Sequence, residues 1–271
     1  MRTALGYAAI GVVLATGLAS ARAQEAPPVH PALHDRFYFG VGAFMPKTST
    51  SAELDSATLG AGTNINFEQA LGMETTKTVP EAFLRYRLTD RWRFDGEYFA
   101  LDRTGNRTLD QDVHWGDVVF PVNTQVQSKF NFQDIRISAG YSFFRTTDKE
   151  VGVGLGFHVT SYDASIGANG IGNEAKKVTA PLPVLSGYGQ FALTDTWAIG
   201  ARLDRFSMKY DQYEGSITSM GVDLMYQPVR HFGLGVAYRS LFIKLTATGS
   251  DLTGTFDQTF QGPLFFVNGS F

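Results

Sequence analysis

Three groups of residues have the types that chemistry uses. His158 shares a stretch of chain with Ser138 and Ser142, and a histidine beside a serine is the base–nucleophile pair of acyl hydrolases. No His-Ser-Asn-type motif accompanies them, and an ordinary interior histidine accounts for the pattern better. The run DQDVHWGD offers Asp110, Asp112, His114 and Asp117 to a divalent cation, such as calcium. It lacks the spacing of a known calcium loop, so a solvated loop is expected. His30, His34 and His231 have no metal-ligand spacing, and no metal or cofactor is expected. The third group is a set of charges of both signs: Glu81, Arg85, Arg87, Arg93, Asp95, Glu97, Asp134, Arg136, Arg202, Asp204, Asp223 and Arg239.

Those charges alternate with apolar residues, which indicates what positions them. In RWRFDGEYFA, Trp92, Phe94, Tyr98 and Ala100 share one face while Arg93, Asp95 and Glu97 share the other. DIRISAGYSF repeats the pattern, with Ile135, Ile137, Ala139, Tyr141 and Phe143 against Asp134, Arg136, Ser138, Gly140 and Ser142. In EVGVGLGFHV the second face is Gly152, Gly154, Gly156 and His158. A period of two is a β-strand. A soluble β-sandwich would bury the apolar face; a membrane barrel would turn it to lipid and fill its lumen with the small and charged face. Glycine and isolated charges of both signs suit a crowded lumen. There the charges are expected to pair into a salt-bridge network, because an unpaired charge in a narrow barrel is costly. An ion pathway or proton-driven gate is the alternative use of that network.

The ends of the chain set its compartment. Met1-Arg2, the apolar run from Ala4 to Leu18, and Ala21-Arg22-Ala23 form a secretory signal with a small-x-small cleavage site. Residues 1–23 are expected to be removed, leaving Gln24 first. QEAPPVHPALHD, residues 24–35, is polar and proline-bearing and is expected to be a periplasmic tether. There is no cysteine, which excludes disulfides, thiol catalysis and cysteine–zinc sites. The net charge of −3 and the lack of a basic block argue against nucleic acid.

Ten strands are predicted, at about 36–46, 77–89, 91–105, 124–145, 149–165, 177–193, 196–212, 215–228, 231–247 and 254–271, with eight as the alternative. Connections at 88–91, 145–150, 193–196 and 228–231 are tight. Those at 47–76, 106–123 and 166–176 are long, with 213–214 and 248–253 on the same side. Short periplasmic turns opposite longer extracellular loops are the asymmetry of outer-membrane barrels. The polar turn LTDRW (88–92) returns as LTDTW (193–197), and both are flanked by aromatics, Tyr86, Trp92, Phe191 and Trp197, suited to the headgroup level. The chain ends GPLFFVNGSF, with Pro263, Phe265, Val267 and Phe271 on one face and Gly269 where a bulkier residue is usual.

Signal, dyad strands, alternating turns and the terminal Phe271 together resemble the small outer-membrane barrels of the broad OmpA/OmpX/OmpW-like class. NINFEQALGME (64–74), LDRTGNRTL (101–109) and HWGDVVFPV (114–122) are similar to segments of uncharacterised proteobacterial barrel proteins. The resemblance implies an all-β, antiparallel up-and-down barrel over residues 36–271 in the Gram-negative outer membrane. It implies lipid and lipopolysaccharide as surroundings, and barrel-assembly machinery that reads the last strand at Phe271. It carries over no active residue. The function expected is non-enzymatic: an envelope barrel, structural or a narrow, porin-like passage for a small ligand. The alternatives are an enzyme acting on lipid A or peptides, and an adhesin using loops 47–76 and 106–123. Within the first loop, Ile65, Phe67, Ala70, Leu71 and Met73 are expected to form a local packing cluster, or a lid on the mouth.

Overall fold

The computed structural model describes residues 29–55, 62–210, 213–248 and 253–271; the expected signal at 1–23 lies outside them. In chain order the elements are α1 (Pro31–His34), β1 (Phe37–Phe44), β2 (Lys47–Leu54), β3 (Ile65–Asn66), α2 (Phe67–Ala70), β4 (Val79–Arg87) and β5 (Trp92–Thr108). Then follow β6 (Val113–Trp115), β7 (Val118–Phe120), β8 (Gln125–Arg145), β9 (Lys149–Ala168), β10 (Gly172–Ala192), β11 (Trp197–Tyr210), β12 (Tyr213–Val229), β13 (Phe232–Thr248) and β14 (Thr253–Ser270). The antiparallel order β1-β4-β5-β8-β9-β10-β11-β12-β13-β14 closes on itself, because β14 pairs with β1 from Ser270↔Tyr38 to Leu264↔Phe44. Ten staves form the ring, so the eight-strand alternative does not hold.

Closure removes every edge at the seam. Phe37 and Phe271 exchange backbone hydrogen bonds of 2.8 and 2.9 Å. Gly269 lies opposite Phe39, and a Cβ there would sit 2.9 Å from that ring. The ring of Phe39 in turn stacks on Phe271 at 6.1 Å. The missing bulk at position 269 is therefore supplied from across the seam.

The repeated turn has one cause. Thr89 Oγ1 accepts from the backbone N–H groups of Arg91 and Trp92, at 3.2 and 3.0 Å. Thr194 Oγ1 accepts in the same way from Thr196 and Trp197, at 3.2 and 2.9 Å. In both copies the leucine N–H donates to the tryptophan carbonyl. A threonine hydroxyl that replaces a backbone acceptor tightens the reversal, and Thr146 does the same for Lys149 in a third turn.

Three expectations need correction. The first stave does not end at 46: β2 continues it along β14, from Lys47↔Gln261 to Leu54↔Gly254. Met45-Pro46 separates the two pieces, since proline cannot extend the ladder. Residues 166–176 are not a long loop. They are the paired ends of β9 and β10 around 169–171, with Gly170 and Gly172 at positive φ supplying the reversal. The described part of the tether is also not free. Pro31 opens α1 at its first turn, where its missing N–H costs nothing. Ala32 and Leu33 are buried, and Asp35 is gripped by both terminal nitrogens of Arg230 at 2.6 and 2.7 Å. Burial pushes the Asp35 carboxyl up, but the bonds from Arg230 and Ser270 outweigh it and hold it below its ordinary value.

Along the staves the two faces exchange chemistry partway up. On β8, Ile135, Ile137 and Tyr141 point outward in the lower half; Gln127, Lys129 and Gln133 point outward in the upper half. The inner face reverses in step, from Asp134, Arg136 and Ser138 below to Val126, Phe130 and Phe132 above. β9 does the same, its outer face passing from Val153, Leu155, Phe157 and Val159 to Ser161, Asp163 and Ser165. Leu155, 70% exposed, marks the lower exterior as a surface built for lipid. The upper barrel is instead inside-apolar and outside-polar, like a soluble protein.

Candidate functional site

The lower lumen holds the charges in two layers. Near the short turns, Glu150 receives both terminal nitrogens of Arg87, one at 2.9 Å, and lies 3.5 Å from Arg93. Asp95 joins Arg93 at 2.9 Å and Arg85 at 2.8 Å, and Arg85 reaches Gln190 at 2.7 Å. The guanidinium of Arg93 lies 3.3 Å above the ring centre of Tyr188, a favourable cation–π placement. A Cβ at Gly140 would stand 2.8 Å from that ring, so the glycine-lined face is what admits it. The second layer is centred on Asp204. Arg136 binds it with two nitrogens at 2.6 and 3.0 Å, Ser186 donates to it, and Arg202 Nε lies at 3.3 Å. Arg202 also forks onto Glu97 at 2.8 and 3.1 Å. Arg239 bridges Glu81 at 3.3 Å and Asp223 at 2.7 Å. His158 Nδ1 lies 2.9 Å from Asp134, and its Nε2 lies 3.7 Å from Asp204.

All twelve charged positions singled out in the sequence therefore face the lumen; eleven have ion-pair partners there, and Asp134 has the His158 imidazole. Sequence reasoning missed Glu150, which it assigned to a turn, together with Tyr188, Gln190 and Ser186. The signal available was parity: Glu150 is in step with Gly152 and His158 on β9. The serine–histidine pairing does not form. Ser142 bonds Glu150 and Tyr188, and His158 is 1% exposed between two carboxylates. The void among these charges is about 60 Å³, enough for a few waters and nothing larger. This layer is a floor.

Above the floor the lumen turns aromatic. Phe44, Phe99, Phe132 and Phe260 meet edge-on or tilted at 4.5–5.5 Å and continue through Tyr162 to Phe256, an arrangement that adds to their burial. Over them opens an apolar cavity of about 370 Å³, walled by residues such as Phe130, Tyr162, Leu182, Phe206, Leu245 and Phe256. That is the size of a small-molecule site.

The cavity is roofed. α2 lies inside the mouth with Phe67 and Leu71 buried, and Phe67 packs edge-on against Phe130 and Trp115. Glu68 ties α2 down by accepting from Arg103 on β5 and, at 2.9 Å, from the Thr50 N–H on β2. The β6–β7 hairpin completes the roof, exchanging bonds of 3.0 Å between Thr63 and His114. Asp110 and Asp112 are engaged separately, by Arg107 and by the Val122 N–H. No group of three metal-ligating side chains occurs among the described residues.

No family model matches the sequence, and neither does any curated protein. The fold does match solved structures. The outer-membrane protease OmpT of Escherichia coli is 10% identical, with a TM-score of 0.53 over 91% of this chain and 99% of that one. The outer-membrane protein OprG of Pseudomonas aeruginosa is 9% identical, with a TM-score of 0.41 over 88% and 97%. The attachment protein Ail of Yersinia pestis is 9% identical, at 0.36 over 85% and 99%. The likeness to OmpT shows the fold of an integral outer-membrane β-barrel, and the outward apolar band agrees with it.

Proposed function

We infer that this barrel is non-enzymatic and binds a small apolar molecule in a roofed cup above a sealed floor. The observation that carries the reading is the exchange of faces. An upper lumen serving only as a water-filled vestibule would be polar; here it is lined by aromatic and aliphatic side chains around open space. The floor supports binding rather than passage through the barrel, since its ion pairs leave room only for water. His158, shut beneath the aromatic layer, supports the non-enzymatic part. Of the loops at 47–76 and 106–123 that an adhesin would use, residues 47–54 continue the first stave, and α2 and the β6–β7 hairpin are folded into the roof. The last strand, ending on Phe271, is the proposed recognition point for barrel assembly.

Trp115 lines the cavity and is one of three tryptophans; Trp92 and Trp197 face outward near the periplasmic turns. In a Trp92→Phe/Trp197→Phe background, 1-bromonaphthalene added to the detergent-solubilised barrel should quench Trp115 saturably. Ala164→Phe, which fills the cavity from β9, should abolish the saturable phase. Quenching that is absent, or indifferent to Ala164→Phe, would sink the reading.

A further inference from the structure

The wall around the cup is not continuous. β10 pairs with β9 along its whole length, to Gly172↔Ala168, but with β11 only from Ala192↔Ala198 to Leu185↔Arg205. β11 continues upward to Tyr210, paired with β12 alone. Above Leu185 and Arg205 the two neighbours part.

The sequence provides the cause. On β10, Ala192 N–H donates toward β9, to Asp148 O, whereas Leu193 N–H donates toward β11, to Trp197 O. Backbone donors alternate sides along a strand, and β10 has no bulge against β9 between these residues and position 181. Odd-numbered positions therefore look toward β11. Two of them, Pro181 and Pro183, have no N–H to give. Both prolines thus cost the ladder with β11 its donors while leaving the ladder with β9 intact. This is placement with one consequence: a parted seam on one chosen side.

The seam leads into the cavity. Pro181 and Pro183 on one bank and Phe206 and Met208 on the other are all cavity-lining residues. Its base also lies at a particular height. Below it the outer face carries Leu185 and Leu203; at and above it come Arg205, Ser207 and Lys209 on β11, and Thr179 and Lys177 on β10. The opening begins where the lipid-facing band ends, at the outer-leaflet surface. Meanwhile the top of the cup is held shut by Glu68, Arg103 and the β6–β7 hairpin.

We propose that the β10–β11 seam is the doorway of the cup, through which an apolar guest passes sideways between the cup and the outer-leaflet surface, at the upper edge of the hydrocarbon. The guest class is a hydrocarbon ring or chain with few hydrogen-bonding groups, because the doorway and the cavity offer it almost none. This rests on the apolar-binding reading above. It adds to that reading a route, a direction, and a role as a transfer station between the membrane and the barrel.

The chain's lack of cysteine makes the test clean. Thr179→Cys and Lys209→Cys place thiols on the two outer banks without touching either proline, joined by a short bis-maleimide. The barrel, with Trp115 as its sole tryptophan, is reconstituted in vesicles. One arm carries 1-bromonaphthalene in the membrane, the other a phospholipid brominated on its acyl chain. Cross-linking should slow quenching of Trp115 at least tenfold relative to the same variant left unlinked. As an unlinked check, Pro181→Val/Pro183→Val, which restores two donors toward β11, should slow it as well. The arm that quenches identifies the guest as a free small molecule or a lipid's own chain. Quenching at an unchanged rate in both closed forms would overturn the doorway while leaving the cup's binding intact. No saturable quenching in any form would overturn both.

Discussion

Arg136→Ala tests whether the floor is held by its ion pairs. Arg136 is 2% exposed and Asp204 is fully buried. Their two hydrogen bonds, at 2.6 and 3.0 Å, have the fork geometry in which a guanidinium binds a carboxylate best. Removing one partner of a buried pair costs about 3–5 kcal/mol, because the other charge stays behind. Asp204 retains Ser186 and, at 3.3 Å, Arg202, and the 60 Å³ void nearby admits water. The loss should therefore fall at the lower end, about 3 kcal/mol. Urea unfolding in lipid vesicles, followed by tryptophan fluorescence, would read it as a lowered midpoint. Arg136→Met/Asp204→Leu removes both charges and should recover most of the loss, since apolar replacement of a whole buried pair is often neutral. An Arg136→Ala barrel with the wild-type midpoint, or a double variant worse than the single, would refute the argument.

Other outcomes follow from the same geometry. His158→Ala leaves the Asp134 carboxylate, 2% exposed, without its hydrogen-bond partner, and should cost about 1–3 kcal/mol in the same assay; no change would show the pair to be idle. Burial holds the His30 imidazole below its ordinary value, so the unfolded segment binds more protons than the docked one. Its contribution is complete above the ordinary histidine value and is lost as pH falls through the lowered one. The amides of Leu33 and Asp35, bonded to His30 O and Pro31 O, should then exchange faster at pH 5 than at pH 7 after correction for intrinsic rates, and His30→Gln should remove that pH dependence. Deleting Phe271 should leave periplasmic aggregate or degraded chain; normal outer-membrane levels would contradict the role in assembly proposed for it. Thr89→Val/Thr194→Val removes a matched pair of acceptors from exposed turns and should cost at most about 1 kcal/mol per turn, read as a small midpoint shift.

Alternation makes the wall legible in the residues themselves. RWRFDGEYFA and EVGVGLGFHV declare their faces, and parity alone aims Arg93, Asp95 and Arg136 into the lumen. Interactions that join distant positions are not legible. Glu68 and Arg103 meet because α2 folds back into the mouth, and nothing local to either residue says so. Position 150 reads as a turn residue because it follows TTDK, yet it anchors three side chains of the floor. The upper half of β8, QVQSKFNFQ, reads correctly as strand, but its phenylalanines point opposite to those of the lower half. A single rule, apolar outward, hides that reversal and with it the cup. The prolines at 181 and 183 are visible, but their meaning depends on which neighbour each N–H would face, and that is set by the register.

The segment before the first stave has a mechanical consequence. From Val29 to Asp35 it bonds Asp195 in one turn, Thr147 and Arg145 in a second, and Arg230 in a third. Those turns sit at separate points around the periplasmic rim. A ring of strands resists stretching along its hydrogen bonds but flattens easily into an ellipse; a strut fixed to several points of the rim prevents that. Sideways force on the barrel would then deform the parted upper wall before the braced lower one, concentrating the barrel's compliance at the doorway.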